Sequence, residues 1–139
     1  MKKVLSTAIA LLTVFSVNAV AQSQEQKPPT AEESAASEVE RLERILKLED
    51  WQVFYVDSTL THDFVEMEAE LKGMQEAKVG NVDLYFEVQD RWWERIETTL
   101  KKYFTEDQWK KYLKSGMTRG QKDSWKRREK KRKNENKNK

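Results

Sequence analysis

The chain has 139 residues, with 26 Lys and Arg against 24 Asp and Glu, one histidine and no cysteine. The absence of cysteine excludes disulfide bonds and a lipid attached through an N-terminal cysteine. A single histidine and the lack of a glycine-rich phosphate loop leave no nucleophile set or transition-metal site that we can assemble. We therefore predict a non-enzymatic protein that needs no cofactor or metal.

The first residues have the pattern of a secretory signal peptide. Lys2 and Lys3 give a basic start, residues 4–17 are uncharged, and Ala19 and Ala21 supply the small residues of a cleavage site. The uncharged run is short for a membrane span, and an uncleaved N-terminal anchor is the alternative interpretation. We predict a signal peptide over residues 1–21, cleavage after Ala21, and a periplasmic or secreted protein.

Charge and helix-breaking residues divide the rest of the chain. Residues 22–29 are polar and end in two prolines, which predicts a flexible leader. No proline follows, and all four glycines come after residue 72, so residues 30–117 favour an all-α domain. Residues 22–117 carry 13 Lys and Arg against 21 Asp and Glu, whereas residues 118–139 carry 11 against 3. We predict an acidic helical body followed by a basic, disordered tail over 118–139.

The first two helices are predicted from a cap and an apolar stripe. Thr30 and Glu33 form a capping box that opens a helix to about Lys47. A second helix is predicted from about Glu49 to Ala77. Its apolar residues recur at intervals of three and four and fall within about 80° on the helix surface. They are Val53, Val56, Leu60, Phe64, Met67, Leu71 and Met74.

A third helix is predicted from Val82 to about Tyr103. In the turn before it, Gly80 suits a left-handed C-cap and Asn81 suits the next N-cap. A short turn between two long helices predicts a long antiparallel helical hairpin, with flanking helices on either side. Because so elongated a hairpin buries little surface alone, we also expect a homodimer.

The stretch FTEDQWKKY, residues 104–112, opens a fourth helix. Thr105 is the expected N-cap, and Gln108 at the third helical position closes a capping box. Acidic residues follow the cap and lysines come later, an order that suits the helix dipole. Helix capping alone accounts for this stretch, and Gly116 ends the predicted helix.

The same stretch is similar to a motif of a known family. Small periplasmic helical proteins of the Spy and CpxP family carry two Leu-Thr-x-x-Gln motifs, each of which opens a helix. Residues 104–108, Phe-Thr-Glu-Asp-Gln, resemble one copy with Phe for Leu. Residues 48–52, Leu-Glu-Asp-Trp-Gln, resemble the second copy with Glu for Thr. The resemblance gives motif and helix-capping roles to Leu48, Gln52, Phe104, Thr105 and Gln108.

The resemblance implies an ATP-independent chaperone or envelope-stress protein. Such a protein would hold unfolded or partly folded exported proteins on apolar and aromatic helix faces, often as a cradle-shaped dimer. Aromatic residues of three helices supply the candidate client-binding positions, which are Trp51, Phe54, Tyr55, Trp92, Trp93 and Trp109. From periodicity alone, these side chains either pack in the core or form an open apolar patch.

The basic tail suggests a second function. Its candidate binding residues for an anionic surface are Lys126, Arg127, Arg128, Lys130, Lys131, Arg132 and Lys133. They could bind anionic lipid or lipopolysaccharide, fold back on the acidic body, or simply keep the protein soluble. No nucleic-acid partner is expected after export. The alternative function is therefore a non-enzymatic adaptor or structural protein that docks on anionic envelope surfaces through this tail.

Overall fold

The computed structural model describes residues 27–138, and within this range the chain is helical and has no strand. The prediction of an all-α fold is confirmed. The predicted signal peptide and residues 22–26 of the predicted leader lie outside the described residues. The helical segments are α1 (Ala31–Leu46), α2 (Asp50–Glu76), α3 (Val82–Tyr103), α4 (Glu106–Lys111), a π-helical turn (Tyr112–Gly116) and α5 (Arg119–Lys137).

Four of the helices begin with the same local structure. In each, the side chain of the residue three positions after the N-cap accepts a hydrogen bond from the N-cap amide. At the three threonine caps the hydroxyl also accepts one in return, which satisfies amides that the helix itself leaves unpaired. These N-cap and partner pairs are Thr30 and Glu33, Glu49 and Gln52, Thr105 and Gln108, and Thr118 and Gln121. The starts of α1, α2 and α4 lie within a residue of their predicted positions.

The core lies among α1, α2 and α3. Leu42 of α1, Leu60 of α2 and Ile96 of α3 are fully buried at their contact. The rings of Phe64 and Trp93 meet edge to face across α2 and α3. Contacts between these two helices pair later residues of α2 with earlier residues of α3, so the helices lie antiparallel. The apolar stripe predicted for α2 therefore faces its neighbours rather than solvent over its first half.

The turn between α2 and α3 differs from the prediction in one detail. Lys78, not Gly80, takes the left-handed conformation, with φ of 54°. The amide of Lys78 bonds the carbonyl of Gln75, which closes the helix end before Gly80 is reached. Asn81 does cap α3, because its side chain accepts a hydrogen bond from the amide of Asp83.

The expected disordered tail is instead a helix. Residues 119–137 form α5, which begins at the capping box of Thr118 and Gln121. Three buried residues of α5, Gln121, Ser124 and Arg128, face the body of the protein. The charge run that predicted disorder is held in a helix because three of its arginines lie beside carboxylates of α3.

Candidate binding surfaces

The two motif-like helix starts meet in the structure. The side-chain amide of Gln52 donates to Oε1 of Gln108 at 2.7 Å, and that of Gln108 donates to Oε1 of Gln52 at 3.1 Å. The two residues lie 56 positions apart in sequence and on different helices. This reciprocal pair, the glutamine junction, joins the start of α2 to the start of α4.

Each glutamine of the junction also satisfies backbone groups around it. Gln52 donates to the carbonyl of Tyr103 at 2.7 Å, and Gln108 donates to the carbonyl of Leu46 at 3.4 Å. Their Oε1 atoms accept hydrogen bonds from the amides of the two N-cap residues, Glu49 and Thr105. Gln52 is 1 % exposed, so an unpaired amide at this position would be costly. The junction is a structural joint and leaves little of either side chain free for a ligand.

The apolar residues of the motif copies are buried beside the junction. Leu48 and Phe104 each precede an N-cap and belong to the core cluster. The ring of Phe104 contacts that of Tyr112, which is fully buried. The five motif positions are thus brought together as one packed, hydrogen-bonded unit.

A third helix start of the same kind escaped the sequence analysis. Met117 is buried, Thr118 caps α5, and Gln121 closes the capping box. The amide of Gln121 then donates to Oε1 of Glu38 in α1 at 3.0 Å, so this glutamine also ties its helix to another. The pattern of an apolar residue, Thr, two residues and Gln was the signal that could have revealed it.

Three of the six candidate client-binding residues form an exposed aromatic patch. Phe54 is 69 % exposed, Trp51 50 % and Tyr55 46 %, and all three lie on the first turns of α2. Tyr55 meets Trp51 and Phe54 edge to face, with ring centroids 6.4 and 5.4 Å apart. Its other neighbour is Tyr103 of α3, on which it stacks at 5.1 Å. The aromatic patch, defined as Trp51, Phe54 and Tyr55, is therefore anchored at one edge and open on the other.

The other three candidates are half-buried and already engaged. Trp92 donates to Oε2 of Glu70 at 2.7 Å, and this hydrogen bond is the main reason that the pKa of Glu70 lies below its usual value. Trp93 packs on Phe64. Trp109 stacks on Tyr112, with centroids 5.2 Å apart. The structure therefore separates Trp92, Trp93 and Trp109 from the aromatic patch.

The basic residues of α5 fall into two groups. Arg127 makes a two-pronged ion pair with Asp90, at 3.0 and 2.5 Å, and Arg128 donates to Glu97 at 2.7 Å. Arg132 lies 3.9 Å from Glu94. All three carboxylates belong to α3, so these arginines hold α5 against the acidic body. The lysines of the predicted tail, Lys126, Lys130, Lys131 and Lys133, are exposed.

Under α5 lies a small group of buried polar side chains. Arg128 and Glu97 form an ion pair whose side chains are 7 % and 3 % exposed. Burial raises the pKa of Glu97, although Arg128 opposes that effect. The hydroxyl of Tyr112 is buried without a protein partner, and burial raises the pKa of this phenol far above its usual value. Because these buried polar groups lie where α5 packs on the rest of the protein, substitutions among them should be destabilising.

Neither a metal site nor a membrane span is present in residues 27–138. No group of three or more His, Cys, Asp or Glu side chains in this range could hold a metal ion. The single histidine, His62, is largely exposed and lies 2.9 Å from Asp63. No helix in the same range is both long and apolar enough to cross a bilayer.

A cleft of about 860 Å³ opens between α3, α5 and the end of α2. Acidic and basic residues line it together, and several of them pair across it, as Arg127 does with Asp90. Because its charges largely cancel, the cleft offers no concentrated site for an ion of either sign.

Comparison of the chain with protein-family models, with curated proteins and with solved structures found no match.

Proposed function

We propose that the protein is an exported, ATP-independent chaperone-like or envelope-stress protein, which binds unfolded or partly folded exported proteins. The observation that carries this proposal is the aromatic patch. Three large aromatic side chains are about half exposed or more, side by side, on a rigid helix. Contiguous apolar surface of this kind is uncommon on proteins that do not use it for binding.

The geometry of the patch suits weak and reversible binding. Fully burying one large apolar side chain contributes roughly 1.5–3 kcal/mol, so three half-exposed rings contribute only a few kcal/mol. The cost of association removes part of that gain. An affinity of this order permits release of a bound segment without ATP, and no catalytic residue is required.

The surroundings of the patch favour clients that carry basic residues. Glu49, Asp50 and Asp57 are exposed on the same helix start. The chain from residue 22 to 117 has a net charge of −8 by residue count. A negative body attracts cationic segments over a Debye length and keeps the complex soluble.

The glutamine junction supports the resemblance to the Spy and CpxP family. In both degenerate motif copies the glutamine accepts a hydrogen bond from the N-cap amide, and the two glutamines bond each other. Membership of that family is a proposal, and so are the homodimer and the periplasmic location. In this arrangement the motifs shape the fold, whereas the neighbouring aromatic patch contacts the client.

The proposal is tested by aggregation of an unfolded client protein in the absence of ATP. The variant W51Q/F54Q/Y55Q removes the aromatic patch. The control V82Q/L84Q/F86Q removes the other exposed large hydrophobic residues, which are 61 %, 41 % and 41 % exposed and lie at the far end of the α2–α3 pair. We expect the native protein and the control to suppress light scattering, and the patch variant to lose most of that effect.

Circular dichroism of both variants establishes that they remain helical. Equal suppression by the patch variant and the native protein would show that the patch is not the binding surface. No suppression by the native protein, with several clients of different charge, would reject the chaperone proposal itself.

A further inference from the structure

Helix α5 has two chemically different faces. Residues at intervals of three and four lie on one side of a helix, at 100° per residue. Five lysines of α5 obey this spacing and fall within about 80° of one another. They are Lys122, Lys126, Lys130, Lys133 and Lys137, and together they are called the lysine face.

The lysine face is turned away from the body. All five side chains are exposed, and none takes part in an ion pair within residues 27–138. Arg119 begins the same face and is exposed as well. Two carboxylates lie at its edges: Glu129 is paired with Arg132 at 3.2 Å, and Asp123 is exposed and forms no ion pair with these lysines within residues 27–138. The positive charge of this face is therefore not neutralised by the rest of the described chain.

The arginines on the other side fix the orientation of this face. Arg127 and Arg128 donate hydrogen bonds to carboxylates of α3, as planar guanidinium groups do best, and Arg132 lies 3.9 Å from a third carboxylate. Lysine is instead a flexible point charge that suits phosphate groups whose positions vary. Three arginines thus face fixed partners inside the molecule, and the five lysines of the lysine face are presented to the outside.

We propose that the lysine face is a docking surface for a membrane that contains anionic phospholipid. The five lysines span about 22 Å along a straight helix, which matches a plane of head groups better than a concave binding site. Each lysine near an anionic bilayer contributes about 1 kcal/mol. The acidic body is repelled by the same bilayer, so the protein would lie with α5 toward the membrane. This surface is separate from the aromatic patch and does not depend on client binding.

The test uses the chain from residue 22 to 139 and vesicles of phosphatidylcholine with one third phosphatidylglycerol. The variant K122Q/K126Q/K130Q/K133Q/K137Q removes the lysine face. The control K27Q/K72Q/K102Q/K111Q/K114Q removes five exposed lysines outside α5, with the same change in net charge. Co-sedimentation measures binding at low salt, and circular dichroism verifies helix content.

We expect binding to the anionic vesicles that weakens about fivefold for each lysine removed from the face. The control variant should bind like the native chain, and added salt should weaken binding of both. Equal binding of the two variants, or equal binding to pure phosphatidylcholine, would overturn the proposal. Tighter binding to lipopolysaccharide or to single-stranded DNA, at equal phosphate concentration, would overturn the choice of phospholipid as the partner.

Discussion

Two uncharged residues, Gln52 and Gln108, join two helix starts through reciprocal hydrogen bonds. Gln52 and Gln108 each serve a cap, a backbone carbonyl and one another. The sequence predicted that both would lie near helix starts, because a capping box is local. It could not show that the two amides meet, since that depends on how helices 56 residues apart are packed.

The glutamine junction gives a prediction for a double-mutant cycle. Q52A and Q108A should each lower the free energy of unfolding by about 2–3 kcal/mol, because each leaves buried polar groups without partners. The double variant should cost less than the sum of the two, because its second substitution breaks contacts that are already lost. Denaturant unfolding measures all four proteins, and T105A is a control that removes only a cap, at about 1 kcal/mol. Strictly additive losses would contradict a direct contact.

Exposure was the other property of single residues that the sequence left open. At 100° per residue, Trp51, Phe54 and Tyr55 lie on the side of α2 opposite its apolar stripe, but this spacing does not show which element covers that side. Within residues 27–138, no helix covers the outer side of these three residues. Trp109, in contrast, is stacked on Tyr112. Such a distinction arises from tertiary packing and carries no local signal.

Helices α1 to α4 were predicted, whereas for α5 the only local signal in the sequence is the capping box at its start. The first four helices carry caps and apolar stripes, whose spacing is visible in the sequence itself. Helix α5 is very polar, and its contacts come from pairs such as Arg127 with Asp90, 37 residues earlier. Stabilisation by residues that are far apart in sequence cannot be inferred from a short stretch of the chain. The run of charged residues was therefore predicted to be disordered.

The π-helical turn between α4 and α5 gives a prediction at the scale of elements. A Cβ added to Gly116 would lie 2.8 Å from Cδ2 and 3.2 Å from Cβ of Tyr112. G116A should therefore displace the buried ring and lower the free energy of unfolding by about 1–3 kcal/mol. Thermal and urea unfolding measure the change.

A matched control for this variant lies in the last turn of α2. Gly73 has no atom within 4 Å of an added Cβ and occupies an exposed helical position. G73A should stabilise the protein by up to about 1 kcal/mol, because alanine is the better helix former. If G116A were neutral or stabilising as well, the close packing of Tyr112 against the turn would be refuted.

The molecule as a whole consists of an acidic helical body and a basic helix laid across it. By residue count, residues 22–117 have a net charge of −8 and residues 118–139 a net charge of +8. This division follows from counting charged residues, and a tail that folds back on the body was one of the predicted alternatives. The sequence did not predict that three arginines would face the body and the lysine face would face solvent. Which side of α5 packs on the body is decided by tertiary contacts.

The charge division predicts that salt loosens α5 before the rest of the fold. At 1 M salt, screening weakens the half-exposed pairs of Arg127 and Arg132, whereas the apolar contacts of α1, α2 and α3 persist. Amide hydrogen exchange in α5 should then accelerate several-fold, with little change around Leu60 and Ile96. R127Q/R132Q should give faster exchange in α5 at low salt and should remove most of the salt effect. Uniform acceleration across all helices would argue against a separately held α5.

The contrast between the two ways in which helices are held together has a consequence for how the protein responds to its surroundings. Neutral amides at the glutamine junction hold equally well in dilute or concentrated surroundings. The ion pairs between arginines of α5 and carboxylates of α3 weaken as the salt concentration rises. A rise in ionic strength would therefore leave α1 to α3 and the aromatic patch in place and would loosen α5. The salt concentration of the surroundings would thus set how freely the lysine face moves.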